Sequence, residues 1–127
     1  MAEKKVLLPG PDHPITVEPN PALITVTHHG RELASSSETL TLREASYPAV
    51  HYFPIEHVDS DVLVPTDHAS YCPYKGDASY YDLRVEGDIL ENAVWTYRAP
   101  YDAVAPIAGY VAFYADRIDR VDVVDVA

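Results

Sequence analysis

Proline placement constrains this chain more than any other feature. Five prolines fall within the first twenty-one residues, at positions 9, 11, 14, 19 and 21. Each fixes its own φ and removes a backbone donor, so this stretch can be neither a helix nor a central strand. It is expected to run as an extended arm, residues 1–21, across the surface of a single domain formed by residues 22–127. Further along, "AVHYFP" and "DVLVP" are short apolar runs, each closed by a proline that is expected to end ladder pairing.

Between these punctuation marks the pattern is that of strands. Leu23-Ile24-Thr25-Val26-Thr27 is rich in β-branched residues, and His29-Gly30 supplies a turn before the chain returns through Glu32 and Leu33, which predicts a hairpin. The segment "SYYDLRVEGDILENAVWTY" predicts a second hairpin around Glu86-Gly87-Asp88. The helical candidate is "APYDAVAPIAGY", which Pro100 can open and Pro106 can stop, so one or two turns are the most it can form. The expected fold is all-β: one antiparallel domain, tent-like or barrel-like, with at most one short helix near residues 100–108.

A chain of 127 residues can bury roughly two thirds of its unfolded surface, so it needs neither metal nor disulfide to fold. One cysteine allows no internal disulfide, and Val6-Leu7-Leu8 is too short for a signal-peptide core, so a cytoplasmic protein is expected. The formal net charge of -11, with nine scattered Lys and Arg residues, argues against nucleic-acid or anionic-membrane partners, whose recognition draws on clustered cations.

The segment "TDHASYCPYKGDASYY" concentrates the reactive residue types: Cys72 with His68 before it and Lys75 after it. A neighbouring cation favours the thiolate that makes a cysteine nucleophilic, which makes Cys72, His68 and Lys75 the candidate catalytic residues. The alternative is a small buried thiol beside a turn, with Pro73 fixing one backbone angle and Gly76 free to adopt positive φ. Ten tyrosines against two phenylalanines mean that most aromatic area carries a hydroxyl needing a partner. Tyr71, Tyr74, Tyr80, Tyr81 and Tyr97, with Trp95, are candidates to line one cleft, and aromatic walls with convergent polar groups are typical of small-molecule pockets. The expected ligand-binding residues are Lys75, Tyr74, Ser79, Tyr80, Trp95 and Tyr97. As a ligand-facing group, Lys75 is expected to contribute little to stability.

Metal sites are not favoured. Structural zinc takes about four Cys or His ligands in close pairs, and adjacent His28 and His29 would point to opposite faces of a strand. Asp59 and Asp61, two apart, would share a strand face and could hold a divalent ion, although a solvated strand entry is the simpler reading. No glycine-rich phosphate loop and no G-x-S-x-G elbow occurs. Neither cofactor nor metal is therefore expected.

The ordered segments "GPDHPI", "LTLREASYPAVHYFP", "TDHASYCPYKGDASYY", "ENAVWTY" and "IAGYVAFY" resemble the bacterial family known as domain of unknown function 427, over roughly residues 9 to 118. The resemblance implies a compact antiparallel β-domain similar to the tent-like folds of methionine sulfoxide reductase B and the ligand-binding domain of cereblon. Those folds suggest cysteine redox chemistry or capture of a small cyclic ligand in an aromatic cage, here without their zinc ligands. His68, Cys72, Lys75, Gly76, Ser79, Tyr80, Trp95 and Tyr97 match the family's pattern. The chain departs from it at His57, where the family usually has aspartate, at "ALITV", where an arginine is common, and at Ala34-Ser35, in place of Ala-Asp.

Three functions follow as expectations. The first is a small-molecule-binding domain with its pocket beside Cys-Pro-Tyr-Lys-Gly and Cys/His-based catalysis there; the second is a non-catalytic interaction or homodimerisation module; the third is nucleotidyl transfer, which the family is sometimes labelled with. A small-molecule ligand and a monomeric or homodimeric state are the partner expectations.

Overall fold

The structure, a computed structural model, describes residues 4–125. Its strands are β1 (Ile15–Asn20), β2 (Leu23–His28), β3 (Arg31–Ser36), β4 (Thr39–Glu44), β5 (Val50–Pro54), β6 (Leu63–Cys72), β7 (Gly76–Val85), β8 (Asp88–Thr96), β9 (Tyr110–Phe113) and β10 (Arg120–Val124). Every strand pair is antiparallel, and the fold is all-β. Seven strands form one sheet in the order β1-β4-β5-β9-β8-β7-β6, and three form a second in the order β10-β2-β3. Among the described residues no helix is long and apolar enough to cross a membrane.

Both expected hairpins form, and their turns explain why. His29 and Gly30 have φ of 50° and 75°, and Glu86 and Gly87 have 48° and 83°. Two consecutive positive φ values give the two-residue turn whose twist matches that of the flanking strands. The Cys72–Gly76 turn closes with the Lys75 N–H donating to the Cys72 carbonyl at 3.2 Å. Gly76 takes φ of 107°, a backbone conformation that L side chains rarely adopt, which explains glycine at this position.

Two expectations need correction. The stretch 1–21 is not a separate arm throughout: Ile15–Asn20 is the edge strand β1, paired with β4, where Pro19 needs no inter-strand donor on its outer side. Pro65 does not end its strand, because β6 lies at the opposite edge and absorbs the proline in a register shift between Pro65 and Ala69. The one or two turns expected near residues 100–108 form as the 3₁₀ stretch Asp102–Ile107, kinked at Val104, and three-residue 3₁₀ turns also occur at Ile55–His57, Ser60–Val62 and Ala115–Arg117.

The large sheet has an apolar cluster on each face, as strand alternation requires. On one face Phe53, Leu83, Val85, Val94, Val111 and Phe113 pack against Ile24, Val26 and Leu33 of the small sheet. On the other face Leu42, Tyr52, Ala78, Tyr80, Tyr97 and Ala112 pack beneath Val104 and Ile107. This second cluster carries the tyrosines. Before β1, the chain is held along the Cys72–Gly76 turn by Leu7 N–H to the Pro73 carbonyl (2.9 Å) and Tyr71 Oη to the Lys5 carbonyl (2.5 Å).

Candidate functional site

The second face is built in rungs. Tyr80 stands opposite Trp95, and Trp95 stands opposite Ala112. Because Ala112 is small, Trp95 reaches across it toward β5, and its Nε1–H donates to Tyr52 Oη at 3.1 Å with the two rings edge to face. Tyr97, two residues on and just past the end of β8, lines the same cavity. At the end of β4, the alternation Leu40, Leu42, Glu44 carries a carboxylate into the buried register.

These residues enclose a cavity of about 210 Å³ lined by Glu44, Tyr52, Lys75, Tyr80, Trp95 and Tyr97, with Tyr47, Pro48 and Tyr114 among its remaining walls. A second, more apolar cavity of about 380 Å³ adjoins it, sharing Tyr47, Pro48, Val50, Trp95 and Tyr114 and reaching Phe53 and Phe113.

Charge in the first cavity is organised by one pair. The Lys75 ammonium donates to Glu44 Oε1, and Glu44 Oε2 bonds His13 Nε2 at 2.7 Å. The His13 ring is in turn stacked on Tyr74, with ring centroids 4.1 Å apart. Burial pushes the Glu44 carboxyl up, but the hydrogen bonds from Lys75 and His13 outweigh it and hold the group below its usual range. Lys75 Nζ also lies 3.8 Å from Cys72 Sγ. Burial pushes the Tyr52 and Tyr97 hydroxyls far up; burial, followed by hydrogen bonding with Tyr80, pushes Tyr114 up to about 12. All three phenols therefore keep their protons at neutral pH and can donate.

Tyr97 is the distinctive one. The residue is 7% exposed, its side chain lines the cavity, and its hydroxyl has no hydrogen-bond partner among the described residues.

Of the residues expected to form the site, Lys75, Tyr80, Trp95 and Tyr97 line this cavity together. Cys72 packs behind them against the second cluster, close to Lys75 but outside the lining. His68 is not brought to Cys72: they stand four residues apart along β6, about 13 Å for an extended strand. The His68 ring instead meets Tyr80 edge to face, with centroids 4.5 Å apart. Ser79 lies between Ala78 and Tyr80 and faces the opposite side of the sheet. Tyr74 acts at one remove, by stacking on His13. Tyr71 bonds Tyr101 at 2.8 Å and Tyr81 joins the first cluster, so neither enters the cavity.

Glu44, Tyr52 and His13 were not foreseen. The period-two run Leu40-Leu42-Glu44 was the available signal for the carboxylate; nothing local points from His13 to a residue 31 positions away. Asp59 and Asp61 do not share an ion site. Asp59 caps a 3₁₀ turn, accepting the Asp61 N–H at 2.9 Å and the Arg31 guanidinium at 2.7 Å. His28 and His29 do not diverge either. Positive φ at His29 removes it from strand alternation, and both rings reach Asp88.

Ser35 and His57, two of the positions where the chain departs from the expected pattern, line a separate depression of about 340 Å³. There His57 Nδ1 bonds Ser36 Oγ at 2.7 Å, so these departures leave the Lys75 cavity untouched. No curated protein matches the chain. A family model described as domain of unknown function DUF427 matches residues 16–124, the span from β1 to β10, and the chain belongs to that family.

Proposed function

We propose that the cavity binds a small single-ring compound carrying a carbonyl or similar acceptor, with the ring against Trp95 and the tyrosine walls and the acceptor facing Tyr97 and Lys75. The observation that carries this reading is Tyr97, a 7% exposed wall of the cavity whose hydroxyl makes no hydrogen bond to protein among the described residues. A ligand that accepts from it gains about 0.5–1.5 kcal/mol over the water it displaces. The size of the cavity supports the same class, since pockets for drug-sized ligands run about 300–1,000 Å³ and this one holds about 210 Å³.

The charge balance narrows the ligand further. Lys75 is already neutralised by Glu44, so a neutral acceptor suits the site better than a phosphate, which would call for uncompensated cations. Nucleotidyl transfer, the family's other label, therefore draws little support from these residues. Catalysis by Cys72 and His68 draws little either, since the cavity walls include neither.

Calorimetric titration with a lactam, a cyclic imide, uracil and Mg²⁺-ATP tests the reading. Binding by a ring carbonyl, weakened about 3- to 10-fold in Tyr97→Phe, is the expected outcome. Binding of Mg²⁺-ATP alone would favour nucleotidyl transfer instead.

A further inference from the structure

Two hairpin tips from different sheets meet away from the cavity. His28 ends β2 and His29 begins its turn; Asp88 opens β8 after the Glu86-Gly87 turn. Asp88 Oδ2 lies 3.3 Å from His28 Nε2 and 3.0 Å from His29 Nε2, and one ligand atom from each of the three residues falls within a 4.8 Å span. The two imidazoles are close but tilted, with centroids 4.3 Å apart at 51°. Arg31 and Glu86 join the same two tips at 3.4 Å, holding them in place without occupying the cluster.

We propose that His28, His29 and Asp88 form a binding site for a borderline divalent transition ion of the Zn²⁺, Co²⁺ or Ni²⁺ type. The spacing is what carries it. Two ligand atoms each about 2.1 Å from a tetrahedral ion stand about 3.4 Å apart, and the observed separations of 3.0 and 3.3 Å are near that value. Two imidazole nitrogens and one carboxylate select this class of ion over Mg²⁺ or Ca²⁺, which take oxygen ligands.

Asp119 supplies the outer support. Its carboxylate lies 3.5 Å from His28 Nδ1 and 3.9 Å from His29 Nδ1, on the side of each ring away from Asp88. Metal-bound histidines ordinarily donate their other ring N–H to such a group. Asp119 Oδ2 also accepts the His29 backbone N–H at 2.8 Å, which fixes the carboxylate. Without an ion, the Asp119 backbone N–H donates to His28 Nδ1 at 3.2 Å, which leaves Nε2 facing Asp88.

The side chain of His28 is 6% exposed, while those of His29 and Asp88 are 46% and 42% exposed. The ion would thus be anchored on its inner side and open outward to a fourth ligand, water or a solute.

The test is Co²⁺ titration of the full chain after EDTA treatment, followed by visible absorption, together with thermal melts in Zn²⁺. Expected are one ion per chain and a rise in melting temperature of about 5–15 °C at 100-fold excess over Kd. His29→Gly, which suits the positive φ, and Asp88→Asn should each weaken binding at least 10-fold while circular dichroism stays unchanged. Cys72→Ser should leave binding intact. Absence of binding below millimolar Co²⁺, equal affinity in His29→Gly, or loss of binding in Cys72→Ser would each overturn the proposal.

Discussion

Replacing Lys75 with methionine strands a carboxylate. Glu44 and Lys75 keep side-chain exposures of 14% and 11%, so their pairing takes place largely out of water. Removing one partner of a buried ion pair costs about 3–5 kcal/mol, mostly as the penalty of the charge left behind. Glu44 retains its 2.7 Å bond to His13 and some contact with solvent, which brings the expected loss for Lys75→Met to about 2–3 kcal/mol. For a chain of this length that lowers the melting temperature by about 10 °C. The assay is urea unfolding followed by circular dichroism, with the m-value unchanged. Adding Glu44→Gln to Lys75→Met should recover at least about 1 kcal/mol, because the stranded charge is gone. A loss below about 0.5 kcal/mol, or a double variant equal to the sum of the singles, would refute the buried pair as the organiser of the site. This reverses the sequence expectation that Lys75 is dispensable for stability, and it is why Tyr97→Phe is the cleaner probe of binding.

The Glu44 carboxyl titrates lower in the folded chain than in the unfolded one, so its stabilisation is fully present above about pH 4.5 and is lost as pH falls toward the folded pKa. Unfolding free energy measured from pH 6 to 3 should fall over the acid end of that range, less steeply in Glu44→Gln. Thr39 Oγ1 is buried without a partner among the described residues, so Thr39→Val should raise stability by about 1 kcal/mol in the same urea assay, and a loss would show that the hydroxyl is satisfied. Cys72 is partly buried against the second cluster, so its alkylation should run at least about 10-fold slower in the folded chain than in urea; equal rates would place the thiol at the surface.

What could be read from the sequence follows from how local each feature is. The two hairpins were legible because their turns and strands lie within one continuous stretch and a glycine marks each tip. Tyr80, Trp95 and Tyr97 were legible as neighbours because β7 and β8 are consecutive strands of such a hairpin, and Lys75 because it sits in the turn that opens β7. The sheet order beyond that was not, since β9 is inserted between β5 and β8 and brings Tyr52 to Trp95 across 43 positions. Ser79 was misplaced because one step along a strand reverses the face. His28 and His29 were misread for a related reason: alternation holds only while the backbone stays extended, and His29 leaves it.

Trp95 is the single tryptophan, and its indole N–H bonds Tyr52 at the wall of the cavity. Its ¹H–¹⁵N indole resonance therefore reports on that cavity, and Tyr97→Phe separates it from the adjoining cavity, which Trp95 lines but Tyr97 does not. The most direct measurement is to follow this resonance while a lactam, a cyclic imide and uracil are titrated to millimolar concentration. A saturable displacement by at least one of them, with the midpoint raised about 3- to 10-fold in Tyr97→Phe, is the predicted result. A resonance that no ring carbonyl moves, or one moved equally in Tyr97→Phe, would contradict the claim that the Tyr97 hydroxyl awaits a ligand.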